Sequence, residues 1–228
     1  MKAVILAGGL GSRLKPFTNI IPKPLIPICG EQTVLEILLV NLKKNGFEEI
    51  FIATNYKAEM IESYLGDGSK YGVRLTFSKE QQPLGTCGPL NLLKEHLHEP
   101  FLLMNGDILT EMDLSKLYDV SVGNESMLTV VTKELTRPLD FGNVIIENGF
   151  ITNIEEKPKI KFIIVTGIYV LKPEVFDFIP DGIYFGIDDL MQTLLEKNLP
   201  ISSYFTNEYW VDIGRIDDLE DVRKRFEQ

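Results

Sequence analysis

Leu6-Ala7-Gly8-Gly9-Leu10-Gly11-Ser12-Arg13-Leu14, followed by Ile21-Pro22-Lys23-Pro24-Leu25, is the stretch whose reading decides the fold. The apolar run that enters it, Ala3-Val4-Ile5-Leu6, is continuous, partly β-branched and stopped by two glycines, the pattern of a short buried strand. The chain therefore leaves a sheet into a glycine loop. Glycines at 8, 9 and 11 let backbone N–H groups converge, and the absence of bulky side chains lets a polyanion approach them. Arg13 and Lys23 bring fixed positive charge, the arginine as a bidentate donor and the lysine as a point charge. Two common phosphate loops are excluded. A dinucleotide fingerprint needs a third glycine where Leu14 stands, and a Walker A loop needs Gly-Lys-Ser/Thr where Ser12-Arg13-Leu14 stands. Taken alone, the loop also admits a plainer reading, a tight strand exit beside ordinary surface charges.

Outward from the loop, strand and helix patterns alternate. Apolar residues at Val34, Leu35, Leu38, Leu39 and Leu42 predict a helix over 33–44 with one buried face, closed at Gly46. Residues 50–53 and 73–77 read as buried strands around a helix over 57–65. Alternation of this kind implies parallel pairing, right-handed crossovers and helices on both faces, with ligands at the carboxyl ends of the strands. The segment 79–89 carries too many turn formers for an element and reads as a loop before a helix at 90–96. Gln81, Gly85 and Thr86 in it could meet the edge of a flat base, or the segment is a plain connection. A strand at 100–104 delivers Asn105-Gly106-Asp107 at its carboxyl end. One aspartate there is more often a cap or turn former. A second, Asp212, closes the strand-like Tyr209-Trp210-Val211, and two carboxylates converging on phosphates is a usual way to hold magnesium.

The second half predicts strands near 127–132, 143–146, 151–154 and 162–171 and helices near 174–178 and 187–196, with Asn148-Gly149 as a type I′ hairpin turn. These strands are expected to be antiparallel or mixed and to form a lobe holding an acceptor, with Phe141-Gly142, Glu156-Lys157 and Thr166-Gly167 as candidate contacts. Glu155-Glu156-Lys157 can equally be a solvated charge run. Leu219, Val222 and Phe226 predict a C-terminal amphipathic helix packed on the domain. His96 and His98, one residue apart near a helix end, do not suit a metal site.

Gly-Gly-x-Gly-Ser-Arg-Leu followed by Pro-Lys-Pro-Leu resembles the signature of the sugar-1-phosphate nucleotidyltransferases. The resemblance continues in order through Pro83-Leu84-Gly85-Thr86, Asn105-Gly106-Asp107, Glu155-Glu156-Lys157-Pro158, Gly167-Ile168-Tyr169-Val170 and Trp210-Val211-Asp212-Ile213-Gly214, nearly the whole chain. It implies a Rossmann-like, mainly parallel α/β sheet of GT-A-like type with a sugar-binding lobe inserted in the second half. A nucleoside triphosphate would be held by Leu6, Ala7, Gly8, Gly9, Gly11, Ser12, Arg13, Lys23, Gln81, Gly85 and Thr86. A sugar 1-phosphate would be held by Asn105, Gly142, Glu156, Lys157, Thr166 and Gly167, with Mg2+ on Asp107 and Asp212. Thr166 departs from the pattern, since many relatives carry asparagine before the glycine. Catalytic roles fall to Arg13, Lys23, Asp107 and Lys157. The stretch from Gly66 to Thr86 looks most like guanylyltransferases acting on mannose-, heptose- or amino-sugar-type phosphates. Thymidylyl-, cytidylyl- and uridylyltransferases share the frame, as do non-catalytic regulatory subunits, although the latter would favour loss of the metal carboxylates. The implied product is a nucleotide sugar of the kind used for cell-surface polysaccharide.

With 228 residues the chain fits a single domain, about 1–110 for the nucleotide and about 111–228 for the sugar phosphate and C-terminal helix. A net charge of −10 excludes a broad basic surface for nucleic acid, so any anionic ligand depends on local cations. No apolar run approaches a membrane span, no signal-peptide core is visible, and cytoplasm is the expected compartment. Cys29 and Cys87 lack CxxC spacing and read as buried or incidental thiols. The chain ends fourteen residues after Gly214, so no appended β-helix or regulatory module is expected; a homodimer through the domain itself remains open.

Overall fold

A computed structural model describes residues 1–226, with the side chains of Cys29 and Phe226 outside the described ones, so Phe226's place on the last helix face is not among them. In chain order the elements are β1 (Lys2–Leu6), β2 (Pro27–Cys29), β3 (Gln32–Thr33), α1 (Val34–Lys44), β4 (Glu49–Thr54), α2 (Ala58–Leu65), β5 (Arg74–Lys79), β6 (Phe101–Asn105), β7 (Ile108–Thr110) and α3 (Leu114–Gly123). They continue with β8 (Leu128–Pro138), β9 (Asn143–Glu147), β10 (Phe150–Glu155), β11 (Lys159–Leu171), α4 (Ile187–Glu196), β12 (Ile201–Phe205), β13 (Trp210–Asp212) and α5 (Ile216–Phe226). Seven strands form one sheet in the order β12-β8-β11-β6-β1-β4-β5. Only β11 runs against its neighbours; β1, β4, β5 and β6 are mutually parallel. The expected mainly parallel α/β sheet is borne out.

Because side chains alternate along a strand, β1 feeds two cores. Ala3 and Ile5 pack with the apolar faces of α1, α2 and α3 on one side of the sheet. Val4 packs on the other side with Leu90, Leu93 and α4. The sheet is thus buried on both faces, which explains why β1, β4 and β6 read as continuous apolar runs.

Helix α1 begins one residue later than expected, with Thr33 as its cap. Thr33 Oγ1 accepts from the Glu36 N–H at 3.2 Å while Glu36 Oε2 accepts from the Thr33 N–H at 2.9 Å. Its far end closes as a Schellman turn, Gly46 N–H to Lys43 O at 3.0 Å and Phe47 N–H to Leu42 O at 3.0 Å. The helices expected at 90–96 and 174–178 are of the 3-10 type, Gly88–His96 and Pro173–Phe178. Leu90 and Leu93 are three apart, and three residues per turn keep them on one face. Helix α3 and strands β7 and β12 were not read from the sequence, being mixed in polarity, whereas the strand expected at Tyr209-Trp210-Val211 is present as β13. The expected hairpin turn is present, with φ of 50° at Asn148 and 85° at Gly149. Strands β8 and β11 run past the body of the sheet, and with the β9–β10 ribbon they make an exposed arm.

Candidate active site

Parallel strands place their carboxyl ends on one edge. There a cleft of about 570 Å³ opens, lined by Leu6 to Leu10 after β1, Asn55 after β4, Glu80 after β5 and Asn105 to Asp107 at and after β6, together with Lys23, Gly85, Thr86 and Tyr184. The glycine loop turns at Gly11, where φ is +59° and a Cβ would stand 2.8 Å from Thr18 Cγ2 and 3.0 Å from Lys23 Cβ. Only glycine fits that bend without displacing Lys23.

The acid pair is assembled by a ladder. Antiparallel β7 and β13 set Ile108 opposite Asp212, and the Ile213 N–H donates to the Asp107 carbonyl at 3.0 Å. Trp210 Nε1 ties β13 down by donating to the Thr166 carbonyl at 2.9 Å. Lys23, only 9% exposed, donates to Asp107 Oδ2 and lies 3.7 Å from Asp212 Oδ1. The guanidinium of Arg13 lies beside Gly214, where an added Cβ would come within 3.1 Å of Nη1.

One lysine does not satisfy two carboxylates. Oδ1 of Asp107 and Oδ1 of Asp212 are buried with no hydrogen-bond partner. Burial foremost, and then the charge of Asp107, push the Asp212 carboxyl above its ordinary range against the pull of Lys23 and Arg13. Two hard oxygens without donors in an electron-rich corner fit a divalent cation. Among the described residues no group of three or more His, Cys, Asp or Glu converges, so the remaining positions would fall to phosphate oxygens and water, the habit of magnesium.

Other expected residues are placed differently. Asn105 lines the cleft, and Gly167 is what makes room for it: at φ +75° a Cβ there would meet Asn105 Nδ2 and Ile108 Cδ1 at 2.6 Å. Thr166 is turned away, 1% exposed with its hydroxyl donated to the Val131 carbonyl at 2.9 Å, so that hydroxyl is already engaged within the sheet. Thr86 lines the cleft, and its Oγ1 accepts from the Ile187 N–H at 2.7 Å. Gln81 is exposed and does not line the cleft; its neighbour Glu80 does, with Oε2 accepting the Leu84 N–H at 2.8 Å and Oε1 facing Gly8. Gly11, Ser12 and Arg13 stand beside the cleft near the acid pair and do not line it. Gly142, Glu156 and Lys157 are exposed on the arm and not among the cleft residues. Glu80, Asn55 and Tyr184 were missed. The first two each follow a parallel strand directly, as Gly8 nearly does, so the carboxyl-end rule applied strand by strand would have found them.

The glycine loop at the carboxyl edge of this sheet, with an acid pair beside it, defines an α/β protein of GT-A-like fold. The chain belongs to the nucleotidyl transferase family, whose model matches residues 2–228. It is 35% identical to the UTP–glucose-1-phosphate uridylyltransferase of Synechocystis over 96% of this chain and 61% of that protein. It is 34% identical to the mannose-1-phosphate guanyltransferase of Yarrowia lipolytica over 94% of this chain and 61% of that protein. The chain thus spans about three fifths of the length of these curated relatives. A crystal structure of a candidate glucose-1-phosphate thymidylyltransferase from Bacillus anthracis, in complex with sucrose, superimposes with a TM-score of 0.81 at 26% identity, covering 100% of this chain and 96% of that one. No helix among the described residues is long and apolar enough to cross a membrane.

Proposed function

We propose that this chain transfers a nucleotidyl group from a nucleoside triphosphate to a sugar 1-phosphate. The phosphate oxygen of the sugar 1-phosphate attacks the α-phosphorus, a new P–O bond forms, the α–β bridging bond breaks, and pyrophosphate leaves. The observation that carries this reading is the meeting of the glycine loop, Lys23 and the underpaired Asp107–Asp212 pair at one sheet edge. A phosphate monoester has its second pKa near ~6, so the nucleophile is already a dianion at neutral pH and no general base is required. What remains is positioning and charge stabilisation. Lys23 is assigned to the α-phosphate, Arg13 and the loop amides to the departing pyrophosphate, and Lys157 on the arm to the incoming phosphate. Asp107 and Asp212 would hold Mg2+, which when bound offsets charge on the α-phosphate oxygens. Asn105 in the cleft, with Gly142, Glu156 and Gly167, is assigned to the sugar, of mannose, heptose or amino-sugar type; Thr166 is not.

The relatives name uridylyl, guanyl and thymidylyl transfer, so likeness alone does not choose the base. Glu80 favours guanine. A carboxylate accepts both the N1–H and the N2–H of guanine, whereas uracil and thymine offer one N–H between two carbonyls that face the carboxylate unfavourably. A pyrophosphate-release screen crossing five nucleoside triphosphates with a panel of sugar 1-phosphates is expected to give turnover with GTP and magnesium. Glu80→Gln is expected to lower the preference for GTP over UTP by about tenfold, the scale of one hydrogen bond to a charged group. Silence across the panel would leave a nucleotide-sugar-binding regulatory subunit as the reading.

A further inference from the structure

Tyr184 has no part in the chemistry described so far, yet among the described residues that line the cleft no other is aromatic. It stands with Glu80, Pro83, Gly85 and Thr86 and is 68% exposed, so much of its ring is open to a ligand. The backbone fixes it there. Residues 182–185 form a strap ahead of α4, in which the Phe185 N–H donates to the Leu84 carbonyl at 2.9 Å. The Cys87 and Gly88 N–H groups both donate to the Phe185 carbonyl, each at 3.0 Å. Gln82 Nε2 donates to the Gly182 carbonyl at 2.9 Å, and just past the strap the Ile187 N–H donates to Thr86 Oγ1 at 2.7 Å. Two glycines permit so close an approach. A Cβ on Gly85, where φ is +82°, would stand 2.6 Å from the Phe185 carbonyl oxygen, and one on Gly88 would stand 3.0 Å from that of Ile183. Phe185 packs against the core while its neighbour Tyr184 lines the cleft.

The attachment points decide which part of the substrate the ring meets. Each of these bonds runs to residues 82–88, the segment that carries Gly85 and Thr86 and follows Glu80. The strap is thus one piece with the wall assigned to the nucleotide, and none of these bonds reaches Asn105 or Gly167, assigned to the sugar. Glu80 can read only the edge of a base. Its faces must also leave water, and a tyrosine ring held in place beforehand offers a flat apolar surface at little ordering cost. We propose that Tyr184 stacks on the face of the purine whose edge Glu80 reads. This rests on the guanine reading above and deepens it, because a bicyclic base offers the ring more area than a pyrimidine does.

Calorimetric titration of the whole chain with a nucleoside triphosphate and magnesium, without sugar phosphate, tests this apart from turnover. Tyr184→Ala is expected to weaken GTP binding about tenfold, the scale of one base–aromatic stack. ITP should lose the same factor, since hypoxanthine keeps the bicyclic face and lacks only the 2-amino group at the edge. Tyr184→Phe keeps the ring and should bind as the parent does. So should Ile183→Ala, an exposed neighbour on the strap that does not line the cleft. A Tyr184→Ala variant that melts like the parent and binds GTP equally well overturns this proposal alone. A loss confined to the KM for sugar 1-phosphate also overturns it and makes Tyr184 a sugar contact, and a Tyr184→Phe variant as weak as Tyr184→Ala traces the effect to the hydroxyl and ends the stacking account. A parent chain that binds no purine nucleoside triphosphate overturns it together with the guanine reading.

Discussion

Lys23 sits where two demands meet. It is buried, it pairs with Asp107, and it stands within 3.7 Å of Asp212, so it is held at the metal corner and faces the cleft at once. Lys23→Ala is expected to cut turnover by about 10²-fold, the scale of losing one preorganised charge contact, with circular dichroism confirming an intact fold. Near-parental turnover in a folded variant would remove Lys23 from the chemistry. The acid pair behaves in the opposite sense toward stability. Two half-buried carboxylates, each with a buried Oδ1 that has no partner, share one lysine and repel each other, so Asp212→Asn is expected to melt higher than the parent in chelator and to lose the stabilisation that magnesium gives the parent. A parent chain whose melting temperature ignores magnesium in the presence of GTP would argue against the ion site.

Among the elements, α1 shows how a local device becomes a pH-sensitive one. Burial alone would raise the Glu36 carboxyl, but the Thr33 N–H and the hydroxyls of Tyr71, at 2.8 Å, and Tyr64, at 3.0 Å, outweigh it and bring it below the usual glutamate value. A depressed carboxylate contributes stability above its unfolded value of about 4.3 and loses it as pH falls through the lower folded value. Glu36→Gln should therefore flatten the acid side of the stability profile and cost about 1 kcal/mol near neutrality, measured by urea unfolding between pH 3 and 7. An unchanged acid slope would mean the cap is not the sensor. This helix was legible because its signals are local: an i, i+3, i+4 apolar face and a glycine stop lie within one stretch, with the capping box of Thr33 and Glu36 beside them in the fold. The helix expected at 90–96 starts earlier, at Gly88, and is 3-10 in type, because Pro89, Leu90 and Leu93 suit a 3-10 turn and packing against the sheet selects it. Strand β13 was anticipated at Tyr209-Trp210-Val211, but β7 and its pairing with β13 were missed for a different reason. Three-residue strands carry almost no periodicity, and their partners lie far apart in sequence.

At the scale of the whole molecule, charge acts against the ligand. A chain of net charge −10 repels a nucleoside triphosphate at long range and attracts it only where Arg13 and Lys23 are close. Raising ionic strength from about 10 to about 150 mM shortens the screening length from ~30 to ~8 Å, so the association rate of a fluorescent GTP analogue in stopped flow should rise with salt. A falling rate would mean that a steering field overrides the net charge. The amino-acid order by itself determined most strands of the central sheet, the glycine loop, the glycine stop of α1, the hairpin turn and the identity of the two acids, because each depends on neighbours a few residues away. Folding decided which of these meet. It brought Asp212 beside Asp107 through a ladder spanning half the chain, turned Glu80 and not Gln81 into the cleft, and engaged the Thr166 hydroxyl inside the sheet. It also left an apolar arm in solvent, since long-range pairing and burial are properties of the packed sheet and are not written in any one window of sequence.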